Sequence, residues 1–383
     1  MQAEAANWKA RGLQRDLVCV EEVNGDRIRV GDTWLWNLAS NDYLGLARDI
    51  RVREAAAEAA RNWGGGAGAS PLVSGWTRLH QDLADALAEF EQVPAVALFP
   101  SGFAANLGTI VSLVGPGDAV FLDRLDHACL VAGAKLSGAR VRVYPHADLD
   151  QLESTLQRER NTYRRALIVT DGVFSMDGDI APLAELVELA DRFAAMTLVD
   201  EAHATGVVGP GGRGSCALLG VEDRVTVRVG TLSKALGAMG GFVAGSRTVV
   251  DRVLNRAPSY MFSTSLAPAA VGAARAALKI VRTEPGLLAD LEKLSSGFRQ
   301  ALGSSVPDSA QHHTPIIPVV LGPADEAVRL SLLLRQAGFW VPAIRPPTVP
   351  RGTSRLRVSL SATLPAFISR ELAVTLNACV SQS

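Results

Sequence analysis

Several scarcities narrow what this 383-residue sequence can be. Charge of one sign is not in excess: 38 basic residues face 39 acidic ones, a formal net charge of −1. That balance argues against broad electrostatic attraction to DNA, RNA or an anionic membrane as the main business of the chain. Cysteine is rare, and Cys19, Cys129, Cys216 and Cys379 show no CxxC or Cys/His spacing. Neither a disulfide framework nor a metal site is expected, and a reducing cytoplasm fits best. Long apolar runs are missing too. The longest charge-free stretch, 93–117, is interrupted by Pro94, Pro100, Ser101, Gly102, Asn106 and Gly108, and reads as strand, loop and helix, not as a membrane span. The opening MQAEAANWKARGLQRD has no apolar h-region, so no secretory signal is expected. GxxxxGK[ST], HExxH and GxSxG elements are absent, which removes the P-loop, zincin and serine-hydrolase readings that rest on motif. Lysine is scarce as well, limited to Lys9, Lys135, Lys234, Lys279 and Lys293.

The residues that are present describe a globular chain. With 48% apolar residues a large core is readily buried and disorder is excluded as the main state. From residue 93 onward, short β-branched runs alternate with amphipathic stretches: AVALF, AVFL, VRVY, ALIVT, MTLVD, VTVRV and GGFVAG, separated by helical segments such as PLAELVELADRFAA. This alternation predicts an α/β fold with a mainly parallel, helix-covered sheet. The tail, with helices near 268–282, 287–302 and 325–337 and strands IIPVVLG and RLRVSLS, predicts a smaller C-terminal α+β domain. VEEVNGDRIRV carries Asn24-Gly25, a two-residue turn signal, and predicts an N-terminal hairpin. The expected division is a hairpin segment over 1–40, a large domain over 41–275 and a small one over 276–383.

Four motifs matter. Gly209-x-Gly211-x-x-Gly214 satisfies GxGxxG, but it lacks the preceding strand, the following helix and the downstream acid of a dinucleotide site. Ser101-Gly102-Phe103 lies between a predicted strand and helix, where free backbone N–H groups can cradle a phosphate or simply turn the chain. Asp200-Glu201-Ala202-His203 follows the apolar strand MTLVD, at the strand end where open parallel sheets bind ligands. Asp200 there could pair with a protonated ring nitrogen, or serve only as a helix cap. Gly230-Thr231-Leu232-Ser233-Lys234 follows VTVRV and sets one of the few lysines in an apolar, glycine-rich setting. Desolvation there lowers the amine's pKa and leaves it able to form a Schiff base.

Taken in order, these elements resemble a fold type I pyridoxal-phosphate (PLP) enzyme. Longer stretches are similar to the α-oxoamine synthases over nearly the whole chain: SNDYLGL (40–46), SGFAANLGTI (101–110), LDHACL (125–130), GVFSMDGDIAPL (172–183), VDEAHATGVVGPGGRGS (199–215), GTLSKALGAMGG (230–241) and AIRPPTVPRGTSRLRVSLSA (343–362). AIRPPTVP points to the biotin-biosynthesis branch. The resemblance implies that Lys234 carries pyridoxal 5′-phosphate and Asp200 pairs with its ring nitrogen. His203 and Ser175 would bond its O3′ region, and His127 would stack on its face. Gly102, Phe103 and Thr231 would contact it, largely at the phosphate. Arg15, Asn41, Arg345 and Thr348 match positions used near the substrate carboxylate or acyl chain, and Arg357 is a second carboxylate candidate. Where the family usually has Ala-Ser after the stacking histidine, this chain has Ala128-Cys129.

The implied reaction is a decarboxylative condensation of L-alanine with pimeloyl-CoA or pimeloyl-acyl-carrier protein, by a cytoplasmic homodimer. Another α-oxoamine synthase, using glycine and acetyl-CoA, is the alternative. A non-catalytic PLP-fold binding module is the reading from a different class, and it has no need for Lys234, Asp200, His203 and His127 together.

Overall fold

The computed structural model describes residues 17–303 and 314–380. They divide into two compact units. One spans Leu46–Ser175 and Asp179–Leu288; the other gathers the described residues up to Gly45, the short Met176–Gly178 stretch, and those from Ala289 onward. The boundaries at 40/41 and 275/276 therefore need correction, because the N-terminal segment is not separate.

Strand β1 (Glu22–Asn24) pairs antiparallel with β2 (Arg27–Val30), and Asn24 faces Arg27. The expected hairpin forms with its turn one residue later, at Gly25-Asp26, and Gly25 takes φ +55°. β3 (Thr33–Asn37) continues this sheet and then pairs in parallel with Phe339–Trp340 from the far end of the chain. That non-local pairing is what joins the N-terminal segment to the C-terminal unit. A second small sheet in the same unit has the order β11 (Ile316–Gly322), β14 (Ser354–Ser359), β13 (Ala343–Ile344), all antiparallel; Phe339–Trp340 is β12.

The larger unit is built on seven strands: β4 (Ala95–Phe99), β5 (Ala119–Asp123), β6 (Arg140–Tyr144), β7 (Ala166–Asp171), β8 (Met196–Asp200), β9 (Val227–Thr231) and β10 (Gly241–Gly245). Their order is β4-β10-β9-β8-β7-β5-β6. The run from β9 to β6 is parallel, and β10 alone is antiparallel to both its neighbours. Both faces are covered. Val120, Leu122, Val169, Leu198 and Val229 pack with Ile110, Leu130 and Val253 on one face. Phe121 and Ile168 pack with Leu152, Leu156, Leu186 and Leu189 on the other. Strands buried on two sides read as continuous apolar runs, which is why they were visible in the sequence.

Helices Ile50–Trp63 and Arg78–Glu91 lie outside that alternation. The first packs closely on Pro268–Thr283: a Cβ at Gly272 would lie 2.6 Å from the carbonyl oxygen of Ala55. Among the described residues no helix is long and apolar enough to cross a membrane.

The parallel strands β5, β7, β8 and β9 end, at their carboxyl edge, on Asp123, Asp171, Asp200 and Thr231. This edge holds the residues described next.

Candidate active site

Strand β4 runs into helix Gly102–Leu113 through Pro100-Ser101. Ser101 caps the helix by accepting the Ala104 N–H at 3.1 Å. The remaining first-turn N–H groups, those of Gly102 and Phe103, have no acceptor within the helix. Gly102 lies against the ends of β9 and β10: a Cβ on it would meet Thr231 at 3.3 Å, and one on Gly241 would lie 2.5 Å from the Gly102 nitrogen. Thr231 Oγ1 in turn is 2.8 Å from Ser233 Oγ and donates to the Gly240 carbonyl at 2.9 Å. Bare backbone, a helix N-terminus and two hydroxyls make a cradle whose donors and size suit a phosphate.

Asp200 is buried at the end of β8. Its Oδ2 accepts from Asn106 Nδ2 at 2.7 Å, and its Oδ1 accepts the Ala202 N–H at 2.9 Å. Both carboxylate oxygens are thus fixed in place by donors. Asn106 was not picked out in the sequence, where it is one polar residue in an otherwise apolar helix.

His127 caps helix Ala128–Leu136. Its own N–H donates to Asp171 Oδ2 at 3.0 Å, and its Nδ1 accepts the Cys129 N–H at 3.3 Å. A ring nitrogen that accepts carries no proton, so in the neutral ring the proton sits on Nε2. Desolvation lowers the imidazole's pKa; Asp200 opposes this and Lys234 adds to it. The Cys129 thiol stands 2.9 Å from His127 Nδ1 and 3.9 Å from Asp200 Oδ2. Burial pushes this thiol far up, with Asp200 and Asp171 adding to the shift. Cys129 is thus packed between two of the site's side chains as a protonated thiol, not as a nucleophile. Phe103 meets the His127 ring edge-on, their centroids 6.5 Å apart.

Asp171, also unforeseen, is pushed well above the carboxylate range by burial and then by Asp200. Lys234 is half-buried just beyond β9, and its charge is felt by His127, Asp171 and Cys129. His203 is buried three residues after Asp200, and Ser175 is half-buried in the turn after β7. The larger unit therefore carries Gly102, Phe103, His127, Ser175, Asp200, His203, Thr231 and Lys234.

The glycine-rich loop has a different use from the one its spacing suggests. Ser215 N, Ser215 Oγ and Cys216 N all donate to the Glu201 carboxylate, at 2.9, 2.7 and 2.8 Å. A Cβ on Gly214 would lie 2.8 Å from Glu201 Cδ. The loop wraps a buried carboxylate and so fixes the chain between Asp200 and His203.

The smaller unit carries Asn41, Arg345, Thr348 and Arg357; Arg15 lies outside the described residues. Arg357, on β14, is buried and donates from Nη1 to Asn41 Oδ1 (3.2 Å) and Ser359 Oγ (2.7 Å), and from Nη2 to Tyr43 Oη (3.3 Å). Burial raises the Tyr43 phenol's pKa and Arg357 opposes this. Arg345 is half-buried and Thr348 exposed on the loop after β13. Neighbouring Arg355 is committed to an ion pair with Asp177.

The chain matches the aminotransferase class I and II family over residues 34–375. It is 50% identical over 360 residues to the 8-amino-7-oxononanoate synthase of Anaeromyxobacter dehalogenans (strain 2CP-1), covering 94% of this chain and 90% of that one. The synthase of Geobacter sulfurreducens is 46% identical over 362 residues, covering 94% and 92%. A serine palmitoyltransferase solved with its PLP internal aldimine superposes with a TM-score of 0.92 at 30% identity, over 99% of this chain and 96% of that one. The 8-amino-7-oxononanoate synthase of Francisella tularensis gives 0.76 at 27% identity, over 90% and 98%. The chain belongs to the class I and II aminotransferase family, among the 8-amino-7-oxononanoate synthases and other α-oxoamine synthases.

Proposed function

We propose that this protein is a PLP-dependent acyltransferase that condenses L-alanine with a pimeloyl thioester, of coenzyme A or of acyl carrier protein, to give 8-amino-7-oxononanoate, the free thiol and carbon dioxide. The observation that carries the reading is the carboxyl edge of the large sheet. There a phosphate-shaped cradle, a doubly hydrogen-bonded carboxylate at Asp200 and the Lys234 amine come from one unit. The relatives' names supply the product, and the substrates are those the sequence resemblance implies.

When bound, PLP serves as the electron sink for the carbanion at the alanine α-carbon. The chain's own residues do the rest. The Gly102 and Phe103 N–H groups, with Thr231, would hold the phosphate. The Lys234 amine would hold the cofactor and, when free, would take the α-proton as general base. Asp200, held by Asn106 and the Ala202 N–H, would hold a proton on the ring nitrogen. His203 and Ser175 would bond the cofactor's O3′, and His127 would cover its ring face. Asn41, Arg345, Thr348 and Arg357, with Arg15, hold the substrate carboxylates and acyl chain, arginine by bidentate bonds. The α-carbon bonds to the thioester carbonyl carbon, the thiolate leaves, the alanine carboxyl carbon departs as carbon dioxide, and the α-carbon takes back a proton in its place.

Purified protein should show a cofactor band at ~420 nm that L-alanine perturbs strongly and glycine weakly. A stronger response to glycine moves the assignment to a glycine-using synthase, and no band after added PLP refutes the cofactor. Lys234→Ala should abolish both the band and turnover. We also propose a cytoplasmic homodimer. Exposed Leu72, Val73, Phe103, Met239 and Phe262 on the larger unit support the pairing, and sedimentation equilibrium tests it; a monomer would overturn it.

A further inference from the structure

His146 is absent from every motif above, yet it occupies a singular position. It follows β6, and its ring bridges two carboxylates: Nδ1 lies 3.1 and 3.2 Å from the oxygens of Asp123, and Nε2 lies 2.8 Å from Asp179 Oδ2. With an acceptor on each nitrogen, both nitrogens act as donors, and the ring is an imidazolium. Burial alone would lower its pKa; the bonds from Asp123 and Asp179 outweigh this and hold it at about 10. The ring also stands edge-on to Phe174, centroids 4.4 Å apart.

The two carboxylates sit at informative places. Asp123 ends β5, and its oxygens also accept the Leu125 and Ala147 N–H groups. Asp179 closes the turn that carries Ser175: the Phe174 N–H donates to the Asp179 carbonyl, and Val173 bridges Ile180. Behind them Asp126 accepts the N–H groups of Asp123 and Asp171, and Asp171 holds the His127 N–H. Tyr144 is a further titratable group on this side; its phenol is raised by burial and then by Asp126 and Asp123. Three carboxyl groups therefore crowd the ends of β5 and β7, with Asp179 beside them, and His146 is the cation set among them.

We propose that His146 is a positioning residue of the active site, a fixed cation that ties the Ser175 turn to the carboxyl end of β5 and orders the carboxylates leading to His127. The consequence for Ser175 rests on the function proposed above; the charge state of His146 does not.

The test uses the full-length protein. In 15N-histidine NMR of the wild type, one imidazole should keep both nitrogens protonated up to about pH 9, and His146→Gln should remove that signal. A neutral ring at about pH 7.5 overturns the proposal. In the cofactor-loaded enzyme His146→Gln should lower turnover about 10- to 100-fold and shift the pH midpoint of the cofactor's absorbance. His146→Lys, which keeps the charge, should recover most of both. Equal losses in the Gln and Lys variants would show that the ring only packs, and would overturn it too. If neither variant folds, the wild-type spectrum decides. Failure of the band in wild-type protein would sink the function reading while leaving that spectrum to judge His146.

Discussion

At the scale of single residues, the site is a set of strand-end side chains whose behaviour is decided by their second neighbours. Asp200 illustrates this. Its role requires a negative charge, so Asp200→Asn should still bind PLP but lose turnover by on the order of 10²–10³-fold. Near-normal rates would refute the role. Removing the supporting donor is milder: Asn106→Ala leaves one buried oxygen short of a hydrogen bond, a cost of about 1–3 kcal/mol that should appear as lower turnover and a lower Tm. Cys129 is a useful contrast. A thiol 3.9 Å from Asp200 is a weak donor, so Cys129→Ser should keep turnover within about threefold; steady-state rates decide. Lys234, Asp200 and His203 stand out in the sequence because each lies at or just beyond the end of an apolar strand. Asn106, Asp171 and His146 do not. Their significance comes from partners 94, 44 and 33 residues away in the chain, and no local pattern records such pairings.

At the scale of elements, close approach and buried charge hold the frame. The start of β10 passes beneath the N-terminus of helix Gly102–Leu113. Gly241→Ala would set a methyl group 2.5 Å from the Gly102 nitrogen and 2.6 Å from the Ser101 carbonyl carbon. Backbone cannot yield as a side chain can, so the variant should lose about 1–3 kcal/mol in urea unfolding and bind PLP more weakly. Elsewhere Arg228 of β9 lies 3.1 Å from Glu91 at the end of helix Arg78–Glu91, and donates to that residue's carbonyl. Arg228→Ala leaves the buried Glu91 carbonyl without this donor and should cost about 1–3 kcal/mol in the same measurement. The strands of the large sheet were readable because two covered faces demand unbroken apolar runs. The helices at 50–63 and 78–91 escaped because they precede the first strand of the alternation, and no β-α rhythm frames them. The glycine motif at 209–214 lacks the setting of a nucleotide site in the sequence, and the enclosure of Glu201 by the chain that follows it depends on a three-dimensional return of the chain.

At the scale of the whole molecule, protonation should tilt stability in one direction. His146 has a folded pKa of about 10 against an ordinary 6.5, so its contribution is complete below pH 6.5 and is lost as pH rises through 10. Glu91 works the same way. Burial raises it to about 8, Arg228 pulls against this, and Glu201 and Glu222 add to it. The folded state holds that proton where the unfolded chain has released it, so stability falls from about pH 4.5 to pH 8. Urea melts should therefore give a lower midpoint at pH 9.5 than at pH 6.5, with a flatter decline in His146→Gln; a rising midpoint would contradict both assignments. The antiparallel insertion of β10 between β4 and β9 has one more consequence. It brings Gly102, Thr231 and Gly241, drawn from a span of some 140 residues, onto one small patch. No fragment of the sheet can present that patch. Under the function proposed above, cofactor loading should require that β10 is in place, so it should report on the completed large sheet.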